Sequence, residues 1–347
     1  MIRKLEDLGI DSALSSLPKF VVVGDQSHGK SSIIEAICGI SLPRSAGTCT
    51  RCPFRITTTA ARPGESWSCK ITLTRRYEFA RSGQLDDTQA EPVHFITITD
   101  RAKLEHALRL AQIAILNPQL DHRTLLRQDP AAFDFNSQLA FSFNPIELLI
   151  SGTDLPELSM VDLPGSINVS PDEDEEYVVG LIEQLIKSYT EDPKALILLV
   201  ASMNQDLETS TAFRYVRNGQ ALQRAMGVLT KPDLLERTRF EHVQRILRGS
   251  IFRLGKGWYI TKNSSQEELD NNITHGDARK REQDFFARVP WSSNLADYAK
   301  QFGTRNLQTA LSHRLVEHIE AELPGKSSFY NAAFQQHRGR ARACTVP

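Results

Sequence analysis

Gly24-Asp-Gln-Ser-His-Gly-Lys-Ser31 fits G-x-x-x-x-G-K-[ST] without a gap, and it limits the chain to few folds. The pattern needs a buried strand before it and a helix after it. Lys19-Phe-Val-Val-Val-Gly24 supplies the strand as a short β-branched apolar run, of the kind buried in parallel sheets. A helix should run from Lys30 to about Cys38 and stop at Gly39. In such a turn the glycines let backbone N–H groups close round a phosphate, and the helix N-terminus adds a positive dipole. Lys30 would reach the β- and γ-phosphate oxygens, and Ser31 would bind a divalent cation such as Mg²⁺. Gly24, Asp25, His28, Gly29 and Ser32 fall within the same cradle.

Alternating strands and helices follow. Strands are expected at 54–60, 67–77, 141–150, 158–161, 195–200, 226–229 and 258–260, with helices at 103–116, 175–189 and 207–218. This alternation implies an α/β fold with a doubly wound, mostly parallel sheet and helices on both faces. Ligands bind such sheets at the carboxyl ends of the strands.

Two further strings sit at expected strand ends. Asp162-Leu-Pro-Gly165 follows the strand ending in Val161; it puts a carboxylate near the cation and a glycine N–H near a γ-phosphate. Alone, Pro-Gly would read as a β-turn. Thr230-Lys-Pro-Asp233 follows the apolar run Met226–Leu229. A carboxylate there can accept from guanine N1–H and its exocyclic amine, whereas adenine would leave it unpaired. The remaining cation and γ-phosphate contact is expected from Thr50, so the expected metal set is Ser31, Thr50 and Asp162. Guanine nucleotide, GTP or GDP, is the ligand these elements imply.

Composition narrows the setting. The chain has 347 residues, 40% hydrophobic and 24% charged, with formal net charge -1. Nothing global recruits nucleic acid or an anionic membrane. The acidic run Pro171–Glu176 and the basic run Arg338–Arg342 read as solvated surface or tail. No apolar run reaches the ~20 residues of a membrane helix, and the N-terminus lacks a signal-peptide core. Five scattered cysteines suit a reducing compartment, which points to the cytoplasm. Cys49-Thr-Arg-Cys52 fits C-x-x-C, but no second ligand pair follows, so it reads as a chance match rather than a zinc or redox site.

Gly24-Asp-Gln-Ser-His-Gly-Lys-Ser-Ser-Ile-Ile-Glu35 and Leu42-Pro-Arg-Ser-Ala-Gly-Thr-Cys-Thr-Arg-Cys-Pro53 resemble the dynamin superfamily of large GTPases, with a tilt toward its Mx-type members. Asp162-Leu-Pro-Gly165 and Thr230-Lys-Pro-Asp233 are the forms that family uses. Phe302–Leu311 and His318–Pro324 resemble the last helix of its GTPase domain. The likeness covers about residues 1 to 324 and is weakest from Pro63 to Asp154.

The resemblance implies a dynamin-type extended GTPase domain over residues 19–323 that hydrolyses GTP with Mg²⁺. Gln26 and Ser27 would orient the attacking water and hold a K⁺ or Na⁺ ion, joined by the carbonyl of Gly47; this cation replaces an arginine finger. Catalysis would therefore involve Gln26, Ser27, Lys30, Thr50 and Gly165. Asn263 and Ser264 fall where the family's base-closing loop sits. GTPase domains of the family also pair across their nucleotide faces, so a transient homodimer is implied. Residues 1–18 resemble the first helix of a bundle signalling element, with Ile2, Leu5, Leu8 and Leu14 on its apolar face. Residues 324–347 would be a hinge with a short partial helix or disordered tail, without the stalk and its assembly surfaces.

Four positions depart from the family pattern. Ile167 and Asn168 replace Thr and a basic residue, Ser45 replaces glycine, and Glu236 stands where an Asp commonly meets the partner's nucleotide. Two functions stay open: a hydrolysing GTPase head, favoured by intact Gln26, Ser27 and Thr50, and a nucleotide-dependent interaction module that hydrolyses GTP poorly.

Overall fold

The structure, a computed structural model, describes residues 18–43, 50–79, 85–121, 125–126, 139–153, 155–167, 177–265, 268 and 273–322. The expected first helix, Ser45, Gly47, Cys49, Asn168, the acidic run and the segment after 322 lie outside the described residues.

The first apolar run forms β1 (Phe20–Val23), and Lys30–Cys38 forms α1, closed by Gly39 as expected. Then come β2 (Phe54–Ala60), β3 (Ser68–Phe79), β4 (Leu85–Ile98), α2 (Leu104–Leu116), β5 (Ile146–Gly152) and β6 (Leu158–Asp162). The second half holds α3 (Tyr177–Thr190), β7 (Leu196–Ser202), α4 (Thr211–Asn218), β8 (Ala225–Thr230), α5 (Phe240–Leu247), β9 (Trp258–Ile260), α6 (His275–Phe286) and α7 (Thr304–Glu322).

One nine-stranded sheet results among the described residues, in the order β4-β3-β5-β2-β6-β1-β7-β8-β9. Strands β6, β1, β7, β8 and β9 run parallel to one another. At β2 the direction reverses: β2 lies antiparallel to β6 and parallel to β5, and β3 is antiparallel to both β5 and β4. The expected mostly parallel, doubly wound sheet is therefore present, with a mixed flank.

Side-chain alternation along the strands splits the core in two. Phe20 and Val22 of β1 pack with apolar residues of α1, α2 and α7, whereas Val21 and Val23 pack with α3, α4 and α5 on the other face. No helix among the described residues is long and apolar enough to cross a membrane.

Several boundaries differ for identifiable reasons. The expected strand from Phe141 starts only at Ile146, because Pro145 brings no N–H to a ladder. The expected helix from Leu207 is a 3₁₀ turn, Leu207–Thr209, then α4, because the Ser210 hydroxyl accepts from Phe213 N and starts the helix anew. β4, α5 and α6 were not expected. β4 is an edge strand whose polar composition and Pro92 give no apolar run. The helix α6 is nearly all polar and is set by a cap, Thr274 Oγ1 accepting from Asp277 N.

Candidate nucleotide site

Three loops meet at the carboxyl end of the parallel strands. The chain leaves β1 at Gly24, turns through 25–29, and enters α1 at Lys30. Gly29 takes a left-handed backbone (φ 87°) that favours glycine, directly before the helix. Ser27 adopts the same region at φ 64°, so the turn is held open by its surroundings. The backbone N–H of Gln26 donates to Ser166 O (3.2 Å) and that of Ser166 donates to Gly24 O (3.3 Å), which seats this turn against the 162–166 loop.

Gly165 faces the turn closely. A Cβ there would lie 2.9 Å from both Gln26 Cα and Lys30 Nζ, so only glycine fits without displacing the turn or the Lys30 side chain. Lys30 is buried, and its ammonium also donates to Asp25 O at 3.4 Å.

Asp162 is the electrostatic centre. Its side chain is fully buried, and its Oδ2 accepts from the hydroxyls of Ser31 (3.2 Å) and Thr50 (3.4 Å). Its Oδ1 is buried with no hydrogen-bond partner. Burial pushes the carboxyl up to about 6, against the Lys30 ammonium and the two hydroxyls, which pull it down. A buried carboxylate oxygen without a partner, beside two hydroxyls, suits a hard divalent cation of the Mg²⁺ type. No group of three His, Cys, Asp or Glu side chains that could hold a metal occurs among the described residues. The expected metal set Ser31, Thr50 and Asp162 is brought together.

The meeting of Thr50 with Asp162 follows from strand direction. Because β2 runs antiparallel to β6, Phe54 sits opposite Asp162, and the chain entering β2 arrives beside the end of β6.

The string Thr230-Lys-Pro-Asp233 packs onto the same turn. Thr230 Oγ1 donates to His28 O at 2.7 Å, and Lys231 Nζ donates to Ser27 O at 2.8 Å. Asp233 is exposed in a 3₁₀ turn, Pro232–Leu234, where a base can reach it. The segment 261–265 leaves β9 beside β8, with Thr261 N donating to Leu229 O. Asn263 Oδ1 is buried there without a protein partner, and Ser264 is half-buried.

Other residues that the sequence singles out lie around these loops. The Asp25 carboxylate does not project into the cradle; its Oδ1 accepts from Ser166 Oγ and from Ala212 N (2.9 Å) at the start of α4. His28 is buried and hydrogen-bonds Gln205 through Nε2. Gln26 is exposed, and Ser32 is half-buried on α1. Ile167 packs against the α3–α4 core, and Glu236 is exposed ahead of the 3₁₀ turn Arg237–Arg239. Cys52 is fully buried, and its thiol is pushed well above the usual range. The Asp25 contacts had no signal in sequence, since Ala212 contributes only a backbone N–H.

A family model described as the Dynamin family matches residues 20–232, and one described as the Dynamin central region matches residues 242–344. The two spans share one sheet, since β9 in the second pairs with β8 in the first. The chain is 31% identical over 329 residues to the interferon-induced GTP-binding protein Mx1 of Ictalurus punctatus, covering 93% of this chain and 46% of that one. It is 29% identical over 345 residues to Mx2 of Oncorhynchus mykiss, covering 99% and 48%, and 29% identical to Mx2 of Mus musculus, covering 93% and 44%. It thus spans about half the length of the curated relatives it matches. The match over most of the sheet, on a chain that assembles all three loops, places the protein in the dynamin family.

Proposed function

We propose that this chain binds GTP together with Mg²⁺ and hydrolyses it to GDP and phosphate, as the head of a dynamin-like large GTPase. The observation that carries this reading is the convergence of Ser31 and Thr50, from two separate strings, on the buried carboxylate of Asp162 beside Lys30.

Lys30 and the N–H groups of the 24–29 turn hold the phosphates, and Ser31, Thr50 and Asp162 hold the cation. When bound, Mg²⁺ supplies charge to offset the anionic phosphates. The N–H of Gly165 meets the γ-phosphate, and Gln26 orients water with Thr50. Gln26, Ser27 and Gly47 hold a K⁺ or Na⁺ ion, and two heads pair transiently across their nucleotide faces to complete that site. Asp233 reads guanine, with Asn263 and Ser264 closing over the base. A cytoplasmic setting agrees with the free, buried thiols of Cys38, Cys52 and Cys69.

The test is a titration with GTP, GDP and ATP, alongside phosphate release. Guanine nucleotides should bind at least about a hundredfold more tightly than ATP, and Asp233→Asn should move the preference to xanthine nucleotides. Equal affinity for ATP and GTP sinks the assignment.

A second reading is favoured by Ile167, two residues after Gly165, which packs half-buried against the core where the family resemblance expects Thr. In that reading the chain holds GTP as an interaction module and turns it over poorly. Specific activity that stays flat across protein concentration, with only monomer in GDP plus aluminium fluoride and K⁺, would favour it.

A further inference from the structure

The only buried residue of α6 is a glutamate. Glu282 is 3% exposed, on a mostly polar helix whose other residues are exposed or half-buried, Phe285 and Phe286 among the half-buried ones. An ionised carboxylate in such a place is costly unless its lone pairs are met. Those of Glu282 are met from two directions. Its Oε1 accepts from the backbone N–H of Lys262 (2.9 Å) and the hydroxyl of Thr304 (3.1 Å). Its Oε2 accepts from the backbone N–H of Thr304 (3.1 Å) and from Arg279 Nη1 (2.7 Å).

These partners lie at strategic places. Lys262 directly precedes Asn263 and Ser264, while Thr304 is the first residue of the nineteen-residue α7, where a negative charge is favoured. The same junction is bolted once more by Gly303 N donating to Ile260 O at 2.8 Å. Farther along, Gln308 of α7 donates to Ile37 O of α1, the helix that follows the phosphate turn. An apolar residue at 282 could fill the space, but it could not fix the direction of the Lys262 N–H.

We propose that Glu282 is a positioning residue for the guanine-base loop: by holding the Lys262 backbone against the start of α7, it sets base discrimination and the rate at which nucleotide leaves. The inference rests on the reading that 261–265 closes over the base. Loss of the carboxylate frees the loop while leaving Asp162, Lys30 and the phosphate turn in place, so retention suffers more than chemistry.

The experiment follows release of N-methylanthraniloyl-GDP, with GTP and ATP affinities and steady-state turnover, in wild type, Glu282→Gln, Glu282→Asp, Thr304→Val and Asn263→Ala. Glu282→Gln swaps a doubly accepting carboxylate for an amide that offers one acceptor, and should release GDP about tenfold faster. It should narrow the GTP-over-ATP ratio and raise KM for GTP more than it lowers kcat. Thr304→Val removes one donor and should give a smaller change in the same direction, with Glu282→Asp between it and Glu282→Gln. Should Glu282→Gln fail to fold, Thr304→Val decides.

Release rates and GTP-over-ATP ratios within about twofold of wild type in the folded variants, with only thermal stability lowered, would overturn the proposal. A wild type without guanine preference would instead sink the nucleotide reading. Wild-type release from Asn263→Ala beside fast release from Glu282→Gln would remove the base-loop reading alone.

Discussion

The two flanks of the sheet differ in burial and in what they contribute to the site. On the parallel side, every residue of β1, β6, β7 and β8 is buried. On the mixed side, β5 alternates between buried and half-buried positions, and β2 does so up to Thr58 and Thr59, which are both buried. Strands covered by helices on both faces need continuous apolar runs, and all of them end at the same edge. That edge is where the phosphate turn, Asp162 and Thr230-Lys231-Pro232-Asp233 emerge. Among the described residues the mixed flank adds one group to the site, Thr50, and it does so because β2 runs against β6. Parallel strands therefore build a site by repetition, and a reversed neighbour brings in a group from a distant loop.

The sharpest break of this division is at Lys30. Lys30→Ala removes the buried ammonium proposed to hold the phosphates and should weaken GDP binding by about a hundredfold or more. Leu73→Ala, in the core of β3, should instead cost about 2–4 kcal/mol of stability while the folded protein keeps its GDP affinity. Calorimetric titration beside urea unfolding separates the two. Equal losses of affinity would mean that the mixed flank shapes the site far more than its one contact suggests.

This division also explains what could be read from sequence. Apolar runs such as Leu196–Ser202 carry an unambiguous pattern, and the strings at their ends single out Ser31 and Asp162, whose side chains meet in the fold together with Thr50. The mixed flank was read less well. β4 lies at the edge with a polar sequence, and the start of β5 was placed early because Phe141 and Phe143 extend the apolar pattern across Pro145. The helix α6 offers almost no apolar pattern, and α5 carries its apolar residues Phe240, Val243, Ile246 and Leu247 over only eight residues, too short a stretch to mark a helix by periodicity. Glu282 was invisible for another reason: two of its four partner groups are backbone N–H groups, which any residue but proline supplies. The place of Asp25 in the string says nothing of its side chain, whose carboxylate meets Ser166 and Ala212.

A finer test targets the group that the reversed strand supplies. Thr50→Ala keeps Ser31, Lys30 and Asp162, so GDP affinity should stay within about threefold. Hydrolysis should fall by about a hundredfold, the scale for loss of a positioned polar group at the reacting phosphate. Single-turnover phosphate release measures this. Wild-type turnover in Thr50→Ala would mean that the antiparallel β2–β6 pairing serves folding alone.

The smallest expected effect lies at the seam between the flanks, away from the nucleotide. Lys19 precedes β1, near Arg55 of β2 and Glu147 of β5, which pair with each other at 3.1 Å. Burial, with the nearby Arg55 charge, lowers the Lys19 ammonium from its usual value to about 8, while Asp192 and Glu147 oppose the shift. A folded-state value below the unfolded one means that the unfolded chain binds the proton more tightly. Below about pH 8 both states are protonated and the cost of the buried charge is borne in full; between about 8 and 10.5 the folded state sheds the proton first, and stability rises with pH. Lys19→Met should therefore stabilise the protein at pH 7 by roughly 1 kcal/mol, well under the full shift because the site is partly solvated and the other contacts of Lys19 go with it. The gain should shrink as pH climbs from 8 toward 10.5, since the wild type then no longer carries the charge. Urea unfolding of both proteins at pH 7 and pH 9.5 reads the difference directly. A gain that is constant with pH would assign the effect to methionine packing, and a loss at pH 7 would mean that Glu147 and Asp192 hold the ammonium strongly enough for it to join the two flanks.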